Sequence, residues 1–133
     1  MCIRDRRYPI AREHWSVHYN VSRDGKLFAG DGGGPGSVAN LTPLPERKKL
    51  DPPGNTQAIF LFTPAAKPVE TIKVGGEPVK VGKLAVRKLV DLAKHDYKLE
   101  PNVTITPDNR WVVFSSNMHG RTHVYAVEVA KGK

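Results

Sequence analysis

Residues 15–22 alternate strictly between apolar and polar: Trp15, Val17, Tyr19 and Val21 take one face, Ser16, His18, Asn20 and Ser22 the other. A period of two is that of a half-buried β-strand. Arg23-Asp24-Gly25-Lys26 follows as a hairpin turn, with Asp-Gly at the positions that need positive φ. Residues 27–30, Leu-Phe-Ala-Gly, read as the return strand. Residues 31–56 are predicted as a long loop, carrying Gly32-Gly33-Gly34-Pro35-Gly36 and Asp51-Pro52-Pro53-Gly54-Asn55; loops of that length inside a compact domain are usually functional or disordered. Residues 57–62 form a third predicted strand, stopped by Thr63-Pro64. Residues 71–74 and 84–90 are alternatives for the fourth. Leu84, Arg87, Lys88 and Asp91 also fall at helical spacing, but strand is the preferred reading.

The pattern then restarts. Residues 102–106 are a predicted strand, Pro107-Asp108-Asn109-Arg110 a turn, 111–116 its return, 117–122 a connection and 123–129 a third strand. Ser22-Arg23-Asp24-Gly25-Lys26-Leu27-Phe28 aligns with Thr106-Pro107-Asp108-Asn109-Arg110-Trp111-Val112. A repeated unit of three or four short antiparallel strands is the mark of a β-propeller blade, and the repeat favours it over a plain sandwich. Blades repeat at about 40–50 residues, so the longer offset here implies insertions, at 31–56 and 67–83. About two blades would leave open sheet edges. The expectation is therefore an all-β chain, residues 7–133, forming the C-terminal blades of one larger propeller domain.

Composition supports the strand reading. The 133 residues include 12 Gly and 11 Pro, above average usage, which favours turn-rich β structure over a helical bundle. One Cys excludes an intramolecular disulfide, and no CxxC pair suggests a zinc ribbon or finger. No apolar run approaches the roughly 18–20 residues of a membrane span, so no membrane partner is expected. With 21 Lys+Arg against 13 Asp+Glu the net charge is +8, which suits an anionic sugar or a nucleic acid. The basic residues are scattered, without an aromatic-interleaved strand motif, so no nucleic acid is expected as a partner. The Gly32–Gly36 run lacks the Gly-Lys-Ser/Thr ending of a phosphate loop. Residues 1–6, Met-Cys-Ile-Arg-Asp-Arg, have no apolar signal region and resemble a translated sequencing adapter. On that expectation the natural chain extends upstream of Arg7, and both the cytoplasm and the periplasm of a bacterium stay open.

Two blocks carry a family resemblance. Residues 14–32, with His18, Asp24-Gly25 and Gly30-Asp31-Gly32, and residues 99–117, with Thr106-Pro107-Asp108 and Trp111-Val112-Val113-Phe114, resemble the late blades of oligogalacturonate lyases. Those enzymes are seven-bladed propellers of TolB-like style that cleave short pectin fragments by β-elimination. The resemblance implies an oligogalacturonide substrate and a divalent metal, typically manganese, that neutralises the uronate carboxylate. His18 matches one of the family's metal-binding histidines. The family's Gln and two His fall on Tyr97, Glu100 and Asn102. Glu100 and Asn102 are oxygen donors, compatible with manganese, magnesium or calcium, and their spacing places both on one face of a strand. His18, Glu100 and Asn102 are thus the candidate metal ligands. The family's base histidine and substrate-binding arginine have no counterpart here, so the resemblance implies that this stretch alone is inactive. The alternative is a non-catalytic TolB-like binding module. His95, His119 and His123 read as loop or surface residues. Trp15 and Trp111 follow core periodicity.

Overall fold

The computed structural model describes residues 7–34 and 56–130. They form two antiparallel sheets, and no α-helix occurs among the described residues. A 3-10 turn, Arg12–His14, precedes β1 (Tyr19–Val21) and β2 (Phe28–Gly30). Next come β3 (Ala58–Val74) and β4 (Glu77–Asp91). These four make the first sheet in the order β1-β2-β3-β4; β5 (Thr104–Ile105), β6 (Trp111–Ser116) and β7 (His123–Glu128) make the second.

The aligned turns have the same hydrogen bonds. In the first, Ser22 Oγ donates to Asp24 Oδ1 (2.7 Å), Lys26 N–H to the same oxygen (3.1 Å) and Leu27 N–H to Ser22 Oγ (2.9 Å). In the second, Thr106 Oγ1 donates to Asp108 Oδ1 (2.6 Å), Arg110 N–H to that oxygen (3.1 Å) and Trp111 N–H to Thr106 Oγ1 (3.0 Å). The left-handed position is Gly25 (φ 71) in one and Asn109 (φ 60) in the other, the residue types that tolerate it best. The turns also touch, Asn109 Nδ2 donating to Asp24 Oδ2 at 2.9 Å.

The strand predicted at 57–62 does not stop at Thr63-Pro64. β3 continues to Val74: Pro64 still pairs with Leu84, and a register irregularity follows before Val69. Gly75 and Gly76, both at positive φ, close a two-residue turn into β4. Both candidates for the fourth strand are thus strands: residues 71–74 are the far end of β3 and 84–90 lie in β4, so the helical spacing there has no structural counterpart. Within β3, Ile59 and Leu61 face one side and Ala58, Phe60 and Phe62 the other, all buried. Burial on both faces explains a continuous apolar run rather than alternation.

Ile59 and Leu61 join Ala29, Leu89, Leu92, Tyr97, Val103, Ile105, Val112 and Phe114 in the core between the two sheets. Phe60 and Phe62 cluster with Phe28, Leu84 and Val86 on the opposite face. The strand predicted over 15–22 is shorter than expected, and its polar half is the one turned inward. Ser16 and Ser22 are buried, whereas Tyr19 and Val21 are 43% and 51% exposed. The polar residues accept backbone N–H groups: Ser16 Oγ that of Gly32 (2.9 Å) and Asn20 Oδ1 that of Ile105 (3.0 Å), which ties β1 to β5. Trp111 is exposed and Trp15 half-buried against Gly33.

Candidate functional site

Pairing of Tyr19 with Gly30 and Asn20 with Ala29 sets the β1–β2 register. One step further places His18 opposite Asp31. Asp31 is completely buried, and its two oxygens are met by two backbone N–H groups and the His18 ring. Oδ1 accepts His18 N–H at 2.8 Å; Oδ2 accepts Asn102 N–H at 3.2 Å and lies 2.9 Å from His18 Nδ1. Its backbone carbonyl accepts the Tyr97 hydroxyl at 3.0 Å. Burial raises the Asp31 pKa above the ordinary carboxylate value; the bonds from His18 and Asn102 act in the opposite direction without overcoming it. The Tyr97 hydroxyl is likewise pushed up by burial, with the Asp31 charge adding to the shift.

His18 Nε2 faces away from Asp31 and lies 3.3 Å from Glu100 Oε2. The imidazole therefore bridges two carboxylates, one buried and one at the edge of solvent, with side-chain exposures of 0% and 20%. Glu100 Oε1 is buried without a hydrogen-bond partner. Pro101, buried beside it, accepts Ser115 N–H through its carbonyl at 2.8 Å, which anchors this segment to β6.

Two of the three candidate ligands therefore meet. The third is turned aside. Asn102 lies ahead of β5 rather than within a strand and has φ 52, so the two-residue spacing does not place it on the face of Glu100. Its amide Nδ2 donates to Glu100 O at 3.1 Å, and its backbone N–H, not its side chain, serves Asp31. Tyr97 is a core residue, its ring edge-on to His95.

The His18–Glu100 pair fits a divalent cation as two adjacent ligands. Donors at about 2.1–2.3 Å from one ion and roughly at right angles stand about 3.0–3.3 Å apart, the observed separation. The orphaned Glu100 Oε1 is a further acceptor suited to a cation. A histidine whose second nitrogen is held by a carboxylate is also the usual metal-site arrangement. Among the described residues no group of three or more His, Cys, Asp or Glu side chains is placed to hold an ion by itself, so the pair alone would be no more than part of a coordination sphere.

The other histidines lie in loops or at the surface as expected, although one of the loop positions is covered. His119 and His123 are exposed, flanking Tyr125. His95 is instead buried, 2.9 Å from Ser116 Oγ through Nδ1 and 2.7 Å from Leu99 O through Nε2. A carbonyl only accepts, so Nε2 carries the proton and Ser116 donates to Nδ1. The residue that sequence reasoning passed over is Asp31. The hairpin register alone points to it, since a turn centred on Asp24-Gly25 places position 31 across from position 18. Among the described residues no helix is long and apolar enough to cross a membrane. No family model, curated protein or solved structure matches the chain.

Proposed function

We propose that this chain contributes the cation-holding wall of an oligogalacturonide lyase that cleaves short pectin fragments by β-elimination. The observation that carries the reading is the bridged imidazole: His18 with Nδ1 on buried Asp31 and Nε2 3.3 Å from Glu100 Oε2. The two sheets are read as successive blades of a seven-bladed TolB-like propeller. The matching turns and the Asn20–Ile105 tie between the first strands of the two sheets support that arrangement.

In β-elimination a base removes the proton beside a uronate carboxylate, and negative charge builds on that carboxylate. A divalent cation, manganese by the family resemblance, with calcium and magnesium also matching an oxygen-rich donor set, supplies the neutralising charge when bound. His18 Nε2 and Glu100 Oε2 would hold it. Asp31 holds the imidazole from behind, and Asn102 N–H and Pro101 O hold the loop carrying Glu100. Ligation requires His18 to be unprotonated on Nε2, so protons and the cation compete. No described residue is assigned the base.

The test uses the full gene product with di- and trigalacturonate, following absorbance of the unsaturated uronate product. Expected are activity, its loss with a chelator, and its return with Mn²⁺. His18→Ala is expected to weaken Mn²⁺ affinity by about 10–100-fold or more. Activity that survives the chelator would refute the cation role. No absorbance change at all would refute the lyase reading.

A further inference from the structure

A completely buried carboxylate on which two backbone N–H groups and an imidazole nitrogen converge needs a reason, because burying the charge is costly unless its partners require it. Two of those partners are backbone groups, one from each ligand-bearing segment: His18 N–H at 2.8 Å and Asn102 N–H at 3.2 Å. The third is the ring of His18, at 2.9 Å from Oδ2. Each oxygen accepts a backbone N–H, and an ionised carboxylate has no proton to donate, so the contact with Nδ1 places the ring proton on Nδ1.

We infer that Asp31 is the positioning residue of the His18–Glu100 pair: its carboxylate locks His18 in the Nδ1–H tautomer and keeps the Nε2 lone pair turned toward Glu100. The cation part of this role rests on the function proposed above; the tautomer part does not. Without Asp31 the ring has a better alternative. Nε2–H would donate to Glu100 Oε2, 3.3 Å away, and the lone pair needed by a cation would move to the buried side.

Asp31→Asn separates positioning from bulk packing. An amide has one acceptor where the carboxylate has two. If its NH₂ lies at the Oδ1 position it opposes His18 N–H and loses the 2.8 Å bond; at the Oδ2 position it loses only the longer 3.2 Å bond to Asn102. The second placement is favoured, and it donates to Nδ1, forcing the ring proton onto Nε2. The isosteric variant should therefore reverse the tautomer while keeping the ring in place.

The experiment is long-range ¹H–¹⁵N correlation of the histidine rings at alkaline pH, in the native chain and in Asp31→Asn, with Mn²⁺ titrated into each. In the native chain His18 Nδ1 is expected to be the protonated nitrogen. In Asp31→Asn the pattern should exchange to Nε2–H, with Mn²⁺ affinity falling by about 10–100-fold. Glu100→Gln, which leaves Asp31 in place, should keep the native Nδ1–H pattern. A protonated Nε2 in the native chain, or an unchanged pattern in folded Asp31→Asn, would overturn the inference. If Asp31→Asn does not fold, the native and Glu100→Gln spectra decide it alone. Absence of Mn²⁺ binding to the native full-length protein would sink the cation reading, leaving the tautomer result to stand or fall on its own spectrum.

Discussion

Asn20 offers a test of how the two sheets are joined. Its Oδ1 accepts Ile105 N–H at 3.0 Å across a separation of 85 residues, linking β1 to β5. Ile105 is 6% exposed and packs in the inter-sheet core, so its amide has little access to water once Asn20 is removed. Loss of a buried amide's partner costs about 1–3 kcal/mol, against about 0.5–1.5 kcal/mol for a hydrogen bond that water can replace. Asn20 itself is half-buried, so partial rehydration is open to the vacated site and Asn20→Ala should destabilise by about 1–2 kcal/mol. Asn20→Asp keeps an acceptor at the same position and should recover most of that loss. Urea unfolding gives the free energy, and amide hydrogen exchange locates it. Ile105 exchange should accelerate about 5–30-fold in Asn20→Ala, the factor that 1–2 kcal/mol represents. A loss under about 0.5 kcal/mol with unchanged Ile105 exchange would refute the tie between the sheets.

The twin turns predict an acid response. Asp24 and Asp108 lie below the ordinary carboxylate value, held there first by the Ser22 and Thr106 hydroxyls and then by the Lys26 and Arg110 N–H groups. The unfolded chain therefore takes up their protons first, so the stability they contribute is complete above the ordinary value of 3.8 and is lost as pH falls through it toward the lowered native values. Replacing both by Asn should flatten that limb of a stability–pH curve; parallel curves would contradict it. Two glycines at positive φ should behave oppositely. In Gly32→Ala the new Cβ meets the Thr56 and Ala58 carbonyl oxygens and the backbone is strained as well, so unfolding measurements should show a loss of at least about 1–3 kcal/mol. Gly75→Asn, with open space around it, should stay within about 0.5 kcal/mol of the native protein.

Hairpins were legible in the linear pattern because their determinants are local. A Ser or Thr two residues before an Asp, then Gly or Asn at the left-handed position, supplies most of the bonds of each turn from within one short stretch. Pairing of the flanking strands follows from that turn, as does the position of Asp31 opposite His18. The all-β class and the sequence repeat were decided at this level. The same local logic misjudged the end of β3, because pairing with β4 carries the strand past Pro64 to Val74.

What lay beyond the sequence is everything set by contact between the sheets. Period two divides residues 15–22 into two faces but does not say which is covered; the need of Ile105 N–H for an acceptor turns Asn20 inward and leaves Tyr19 and Val21 exposed. Equal spacing made Glu100 and Asn102 look like equivalent ligands. The left-handed backbone at Asn102 separates them, giving Glu100 to His18 and the Asn102 N–H to Asp31. His95 and His119 are both loop histidines in the sequence, yet the packing of 92–103 under β6 buries one and leaves the other in solvent. Turn chemistry acts over a few residues and is written in them. The partner of a buried polar group is chosen among atoms distant in the chain, where only the packed structure determines which N–H and which carboxylate share a dry site.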